Sequence, residues 1–269
     1  MINHRIIKQV RVFWIWCLGF GVCLFFVICH LVLSAHADDK KPEPRPHIVV
    51  SVPLGVPAGT PTKLTLRGIK LDTATDIRCS DAKTTVKILS KGKAAVSDKQ
   101  DPAKFGDTQI EIELTAPADL AGDVVGLVAV TPSGDIEPYQ VLIDQPGSII
   151  VEKEPNNGFR QAQPLQLPQI VEGTINPAQD VDVYRIDGKA GQTIVLEIIA
   201  ARRGSPLDSL LMLHDVDGKL IATNDDHDGS ADSYLEVKLP HDGAYLVSVL
   251  DAHDMGSPVH VYRLVAKAK

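Results

Sequence analysis

Short segments of alternating apolar and polar residues, separated by turn residues, constrain the fold of this chain most strongly. The clearest is Thr108–Thr115 (TQIEIELT), in which Ile110, Ile112 and Leu114 occupy every second position. Successive side chains of a β-strand point to opposite faces, so this segment predicts a strand with one apolar face. Similar runs recur about every 8–12 residues, and no amphipathic helical period exceeds about two turns. The pattern predicts an all-β fold built from antiparallel β-sandwiches.

The strand-like runs fall into two groups, which predict two domains of about 100 residues each. An immunoglobulin-like sandwich is expected at 47–145 and a jelly roll at 151–269. A charged, proline-rich linker is expected at 38–46, and a short connector (QPGSIIV) at 145–151. The predicted strands of the first group are 47–52, 63–67, 108–115, 124–130 and 139–143, and the proline- and glycine-rich segment 53–59 is predicted to be a turn.

The second group contains eight predicted strands, which suit a jelly roll. Asp-Gly pairs, which favour tight turns, are expected to end three of them, at 187–188, 217–218 and 242–243. The predicted strands are 170–175, 181–186, 193–200, 209–214, 220–223, 234–239, 244–250 and 260–265.

Residues 1–37 have the pattern of a secretory leader. Three basic residues precede an apolar run at 12–35, which ends in the small-residue motif Ala35-His36-Ala37. The run exceeds the roughly 7–15 residues of a signal peptide and is long enough to span a bilayer as a helix. We therefore expect either a cleaved signal peptide or a retained membrane anchor. In both cases the rest of the chain is extracytoplasmic: secreted, periplasmic or at the cell surface.

Charge and cysteine content exclude several classes of protein. The chain has a net charge of −7, and its three leading basic residues belong to the leader, so the exported part is more acidic still. An acidic surface argues against binding of nucleic acid. Three of the four cysteines lie in the leader, so Cys79 has no partner for an intramolecular disulfide or a zinc site.

No protease motif such as H-E-x-x-H or G-x-S-x-G occurs, and we predict no enzymatic activity.

A series of motifs along the second group resembles the bacterial pre-peptidase C-terminal domain family. This family shares its jelly roll with the collagen-binding domains of secreted clostridial collagenases. The resemblance implies a non-catalytic accessory role in export, folding or attachment to a target. The matching motifs are EKEPNN at 152–157, EGTI at 172–175, DVDVYRI at 180–186, DSLLML at 208–213, NDD at 224–226, GAYLVSV at 243–249 and YRL at 262–264.

The first group resembles the IPT/TIG type of immunoglobulin-like domain. The resemblance is carried by a proline-rich opening, by KLTLRG at 63–68 and by the turn VTPSG at 130–134. It implies an immunoglobulin-like sandwich and no catalytic residues.

Oxygen-bearing side chains are concentrated at the start of the second group, at Glu152, Glu154, Asn156 and Asn157. Calcium binds six to eight such oxygens, so a Ca²⁺ site is one interpretation, and a solvated acidic segment is the other. The resemblance to collagen-binding domains implies that Asp180 and Asp182 on an early strand complete the site. Asn157 replaces an aspartate of some relatives, which would weaken it.

A second acidic segment lies at 224–229 (NDDHDG). Asn224, Asp226 and Asp228 match the first half of an EF-hand loop, but Leu235 occupies the position of the bidentate glutamate. A loop calcium site and a polar loop between strands remain alternative interpretations.

The sequence predicts an exported accessory protein, stabilised by Ca²⁺, that contacts an extracellular protein or polymer. No nucleic acid partner is expected, and the membrane is contacted only through an uncleaved leader. Two alternatives remain: a carbohydrate-binding module, and a structural subunit of the cell envelope that is anchored by its N-terminal helix.

Overall fold

The computed structural model describes residues 44–97 and 100–269, and this part of the chain is built almost entirely of β-strands. The helices of the described part are the single turn α1 (Pro102–Phe105) and the 3₁₀ turns Leu71–Thr73 and Ala201–Arg203. The prediction of an all-β fold is therefore confirmed. The leader and most of the linker lie outside the described residues. No helix within the described residues is long and apolar enough to cross a bilayer.

The first half forms a two-sheet structure, which we call the first sandwich. One sheet has the order β1-β3-β6-β5, and the other has the order β2-β9-β7-β4, with β8 paired to β7. Its strands are β1 (His47–Val52), β2 (Gly55–Pro57), β3 (Thr62–Ile69), β4 (Asp76–Cys79), β5 (Thr85–Lys93), β6 (Thr108–Thr115), β7 (Val124–Thr131), β8 (Gly134–Asp135) and β9 (Tyr139–Asp144).

The core of the first sandwich follows from alternation along its strands. Ile110, Ile112 and Leu114 of β6 are fully buried, as the sequence predicts, and they pack with Leu64 and Leu66 of β3. Strands β3 and β6 are antiparallel neighbours, so their apolar faces combine to cover the opposite sheet.

The second half forms another pair of sheets, the second sandwich. The sheets have five strands each, in the orders β10-β12-β19-β14-β17 and β11-β13-β18-β15-β16. Its strands are β10 (Ile149–Val151), β11 (Gln163–Pro164), β12 (Gln169–Thr174), β13 (Val181–Gly188), β14 (Thr193–Ile199), β15 (Ser209–Asp215), β16 (Leu220–Asn224), β17 (Tyr234–Lys238), β18 (Gly243–Asp251) and β19 (Val261–Ala268).

Three local predictions were wrong. Segment 53–59 was expected to be a turn and 145–151 a connector, yet they contain the edge strands β2 and β10. Edge strands tolerate proline and can be very short, because one side of their backbone needs no partner in the sheet. No turn forms at Asp187-Gly188, because β13 continues through Gly188 and pairs there with Gly243 of β18.

The two sandwiches pack against each other within one compact unit. Val50, Leu54 and Leu142 of the first sandwich form an apolar cluster with Val259 and Val261 of the second. A hydrogen bond from Tyr139 Oη to the carbonyl oxygen of Arg203, 2.9 Å long, joins them nearby.

Candidate functional site

Three carboxylates meet at the start of β13. Asp180 immediately precedes this strand and Asp182 is its second residue, so both side chains project to the same side. Glu154 comes from the segment between β10 and β11. One carboxylate oxygen of each of the three residues lies within 4.8 Å of the other two. The structure thus places Glu154 of the first acidic segment close to Asp180 and Asp182.

Hydrogen bonds from the backbone hold Asp180 in place. The amides of Asn176 and Val181 donate to its two oxygens, each over 2.9 Å. The side-chain amide of Asn157 donates to Asp180 as well. Asn157 is therefore placed beside the carboxylates, but its nitrogen faces Asp180.

Two buried tyrosines position Asp182 from the core side. Tyr262 of β19 donates a hydrogen bond from its hydroxyl to Asp182 Oδ2, over 2.6 Å. The hydroxyl of Tyr184 lies 2.6 Å from that of Tyr262. Both rings are fully buried in the core, so they fix one oxygen of Asp182 and leave the other directed at the neighbouring acids.

Three polar atoms at this site are buried without a hydrogen-bond partner among the described residues. They are Oδ1 of Asp182 and both side-chain polar atoms of Asn156, and both residues have an exposed fraction of 0%. Leaving a buried polar group unpaired costs about 1–3 kcal/mol, so such groups are rare unless something absent from the protein chain pairs with them.

Without a bound cation, burying these carboxylates close together is electrostatically unfavourable. Burial raises the pKa of Asp182 to about 9, and the adjacent Glu152 carboxyl contributes to the rise. Burial also raises the pKa of Glu152, although the amide of Thr174 donates to its Oε2 over 2.8 Å. We call Glu152, Glu154, Asp180 and Asp182 with Asn156 the acid cluster. Its potential metal ligands are carboxylate and amide oxygens, which hard cations such as Ca²⁺ prefer.

Residues 180–250, which begin at the acid cluster, match the family model of the bacterial pre-peptidase C-terminal domain. The match lies within the second sandwich and runs from β13 to β18. A probable subtilase-type serine protease of Deinococcus radiodurans is 38% identical over 99 residues, which are 36% of this chain and 14% of the relative. The similarity therefore spans a small part of that relative's length.

The solved structures to which this chain is similar include a pre-peptidase C-terminal domain and a lysozyme inhibitor. The domain, from the collagenase of Bacillus anthracis, is 16% identical, covers 43% of this chain and 100% of its own, and has a TM-score of 0.32. The periplasmic inhibitor of g-type lysozyme from Aeromonas hydrophila is 18% identical, covers 45% and 98% respectively, and has a TM-score of 0.31.

The second acidic segment forms a loop between β16 and β17 of the second sandwich. Both polar atoms of the Asn224 side chain form local hydrogen bonds. The oxygen accepts from the amide of Tyr234 and the nitrogen donates to the carbonyl of Asp226, both over 2.8 Å. Asp226 and Asp228 are exposed. These contacts match the interpretation as a polar loop, whereas a loop calcium site remains a prediction.

A buried ion-pair cluster, absent from our sequence analysis, joins the second sandwich to the first. Arg263 of β19 donates to both oxygens of Asp144 over 2.8 and 2.7 Å, and to Glu172 Oε2 over 3.0 and 2.9 Å. The amide of Leu54 donates to the other oxygen of Glu172. We call Arg263, Glu172 and Asp144 the arginine clamp. No local motif reveals it, because its members are separated by 91 and 119 residues.

A serine–histidine contact of the second sandwich lies beside the first sandwich. Ser257 Oγ lies 2.8 Å from Nδ1 of His260, three residues later. The imidazole is 1% exposed and packs against Phe105 of the first sandwich, with ring centroids 5.6 Å apart. Burial lowers the pKa of His260, which favours the neutral form of the ring.

Replacing Gly173 by alanine is expected to destabilise the protein by about 1–3 kcal/mol, because the added methyl group overpacks the base of the acid cluster. A Cβ at this position would lie 2.3 Å from Glu152 Oε2 and 2.5 Å from the ring of Tyr262. Urea denaturation of the full chain measures the effect. Gly92→Ala is the matched control in a strand, since nothing lies within 4 Å of its Cβ. Equal stability of the two variants would contradict the packing argument.

Proposed function

We propose that this chain is an exported, non-enzymatic accessory protein whose pre-peptidase C-terminal domain is stabilised by Ca²⁺ at the acid cluster. Two observations carry the proposal: three carboxylates converge, and buried polar atoms of Asp182 and of Asn156, which is close to Glu154 in the chain, lack a partner among the described residues. A divalent cation would neutralise the carboxylates and could satisfy the side-chain oxygen of Asn156.

The residues that would hold the ion are Glu152, Glu154, Asp180, Asp182 and Asn156. Bound Ca²⁺ would supply structural stabilisation and no chemical step. Tyr262 would orient Asp182, and the backbone amides at Asn176 and Val181 would orient Asp180. Asn157 would act beside the ligands as a hydrogen-bond donor to Asp180.

An extracytoplasmic location and a binding role complete the proposal. The basic, apolar and small-residue order of the leader supports export. The family match supports a non-catalytic module. The similarity to a probable serine protease from Deinococcus radiodurans supports an evolutionary association with proteases, but the shared stretch is 14% of that protein. The partner we propose is an extracellular protein or polymer.

The calcium proposal is tested by unfolding the full chain in about 1 mM Ca²⁺ and in chelator. With the affinity of extracellular calcium modules, about 10⁻⁴–10⁻³ M, the ion is expected to add about 0.4–1.4 kcal/mol to the free energy of unfolding. Glu154→Gln should remove most of this gain.

Glu137→Gln is the matched control, because Glu137 is an exposed glutamate of the first sandwich that lies outside the acid cluster. It should retain the full response to Ca²⁺. If the wild-type protein unfolds identically in Ca²⁺ and in chelator, the calcium proposal is wrong.

A further inference from the structure

An asparagine followed by a glycine occurs once in this chain, at Asn157-Gly158. The other four asparagines are followed by histidine, asparagine, proline and aspartate. Because glycine has no Cβ, its backbone amide is the least hindered and can approach the side chain of the residue before it. An asparagine side chain therefore cyclises onto the next backbone amide most readily when that residue is glycine. This dipeptide lies in the segment that carries part of the acid cluster.

The two reacting groups of the dipeptide are accessible in the structure. Asn157 is exposed and Gly158 is half-buried. Within the described part of the chain, the amide of Gly158 donates no hydrogen bond, so no such bond has to break before this nitrogen reacts. Neither residue belongs to a strand or a helix. Ring closure therefore requires local rotation at Asn157 and no disruption of a sheet.

The backbone is held on both sides of the dipeptide. The amide of Val183 on β13 donates to the carbonyl oxygen of Asn156 over 3.0 Å, and the amide of Gln161 donates to that of Gly158 over 2.8 Å. These bonds keep position 157 beside the carboxylates and involve neither the Asn157 side chain nor the Gly158 nitrogen. A product formed at this position therefore stays at the acid cluster.

The reaction is an intramolecular substitution at the side-chain amide of Asn157. The backbone nitrogen of Gly158 forms a bond to Cγ of Asn157, the Cγ–Nδ2 bond breaks, and Nδ2 leaves as ammonia with the proton that the Gly158 nitrogen has lost. Water then opens the cyclic imide at either of its two carbonyls. The product is an aspartate or an isoaspartate, each with one new carboxylate. Solvent water is the only co-reactant.

The new carboxylate replaces a hydrogen-bond donor of the acid cluster. The leaving nitrogen, Nδ2 of Asn157, donates to Asp180 Oδ1 before the reaction. After the reaction, Asp180 has lost this donor and faces a second negative charge, which is repulsive while no cation is bound. The same charge favours a bound Ca²⁺, because the affinity of a calcium site depends on the number of charged ligands.

We infer that Asn157 is a deamidation site, at which spontaneous conversion to aspartate or isoaspartate adds a carboxylate to the acid cluster and tightens its binding of Ca²⁺. The conversion proceeds in one direction, so the calcium affinity increases with the age of the protein. The inference rests on the proposed function of the acid cluster and specifies a covalent change that regulates this site.

The modification is tested by incubating the full chain in mildly alkaline buffer with chelator and mapping its peptides by mass spectrometry against an unincubated sample. We expect the small mass increase of an amide converted to an acid in the peptide that contains Asn157, with fragment ions that assign it to Asn157 rather than Asn156. Asn176 is the internal control and should remain unchanged, because Pro177 has no N–H to attack with.

Gly158→Ala should slow the conversion at least about tenfold, because a Cβ hinders the approach of the backbone amide to the side chain before it. The variant is expected to fold, since a Cβ at position 158 would meet only Gln161 Oε1, at 3.8 Å. Incubation should therefore tighten Ca²⁺ binding by wild type and leave that of Gly158→Ala nearly unchanged.

The effect on affinity is tested with Asn157→Asp, which reproduces the aspartate product without incubation. Calorimetric titration should give a Ca²⁺ dissociation constant about tenfold below that of wild type. The melting midpoint in chelator should fall, because Asp180 then faces a like charge. Gln140→Glu is the matched control: it makes the same change from amide to carboxylate at an exposed residue of the first sandwich. It should retain the wild-type affinity.

The inference is overturned if Asn157 stays unmodified for a time in which a synthetic peptide of residues 154–160 converts. It is also overturned if Asn157→Asp and Gln140→Glu bind Ca²⁺ equally well. In both cases a wild-type response to Ca²⁺ leaves the proposed function intact. The absence of a Ca²⁺ response in every protein refutes the proposed function and the inference together, so the wild-type titration distinguishes the two failures.

Discussion

Replacing Arg263 by methionine is expected to lower the free energy of unfolding by about 3–5 kcal/mol. The guanidinium is 4% exposed and makes four hydrogen bonds to Asp144 and Glu172. Burial alone would lower the pKa of Arg263, but the two carboxylates outweigh it and raise the pKa, so the group stays charged. Methionine keeps much of the volume and leaves the carboxylates of Asp144 and Glu172 without a cation. Urea denaturation of the full chain measures the loss.

The control is Arg185→Met, which removes an exposed ion pair with Asp187. Exposed pairs contribute about 0–1 kcal/mol, so this variant should remain close to wild type. Adding Asp144→Asn and Glu172→Gln to Arg263→Met should recover part of the loss, because the uncompensated charges are then removed. A loss below about 1 kcal/mol for Arg263→Met would mean that the clamp does not hold the sandwiches together.

In chelator, the free energy of unfolding is expected to fall as the pH rises from about 4 towards about 9. The cause is Asp182, whose pKa burial raises from 3.8 to about 9, with a further contribution from Glu152. The folded protein keeps a proton there that the unfolded chain releases, so stability present below pH about 4 is lost as the pH approaches the folded pKa. The loss is of the order of several kcal/mol, and denaturation at a series of pH values measures it.

Asp182→Asn should remove most of this pH dependence, because a neutral amide then occupies the buried position. Asp187→Asn is the control, since the Asp187 side chain is 79% exposed, and its pH profile should match that of wild type. Saturating Ca²⁺ should flatten the wild-type profile, because the cation favours the ionised carboxylates. A profile for Asp182→Asn as steep as that of wild type would show that the slope arises elsewhere.

The predictions from sequence succeeded where a strand has one buried face. The bounds of strand β6 were predicted correctly. Its apolar residues alternate with glutamates, and only one register places all the apolar side chains on the buried face of the sheet. The short edge strands β2 and β10 were missed for the opposite reason. Their backbones pair on one side only, so proline and glycine are tolerated and no alternation is required.

The candidate site likewise has residues that the sequence predicted and a contact that it did not. Local composition was sufficient to single out Glu152, Glu154 and Asn156, because oxygen-rich side chains are concentrated around one proline. The role of Tyr262 as the hydrogen-bond donor to Asp182 was not predictable. The two residues are 80 positions apart, and the sequence shows only a strand tyrosine that is suited to a core.

The amino-acid sequence by itself determined the β-rich architecture, the main strands and the match to the pre-peptidase C-terminal family, since these follow from local periodicity and ordered motifs. Tertiary structure alone decided that Arg263 holds Glu172 and Asp144. The physical reason is the range of the interactions. Alternation acts between neighbouring residues, whereas a charge selects its partner by distance in space, which the chain path sets only after folding.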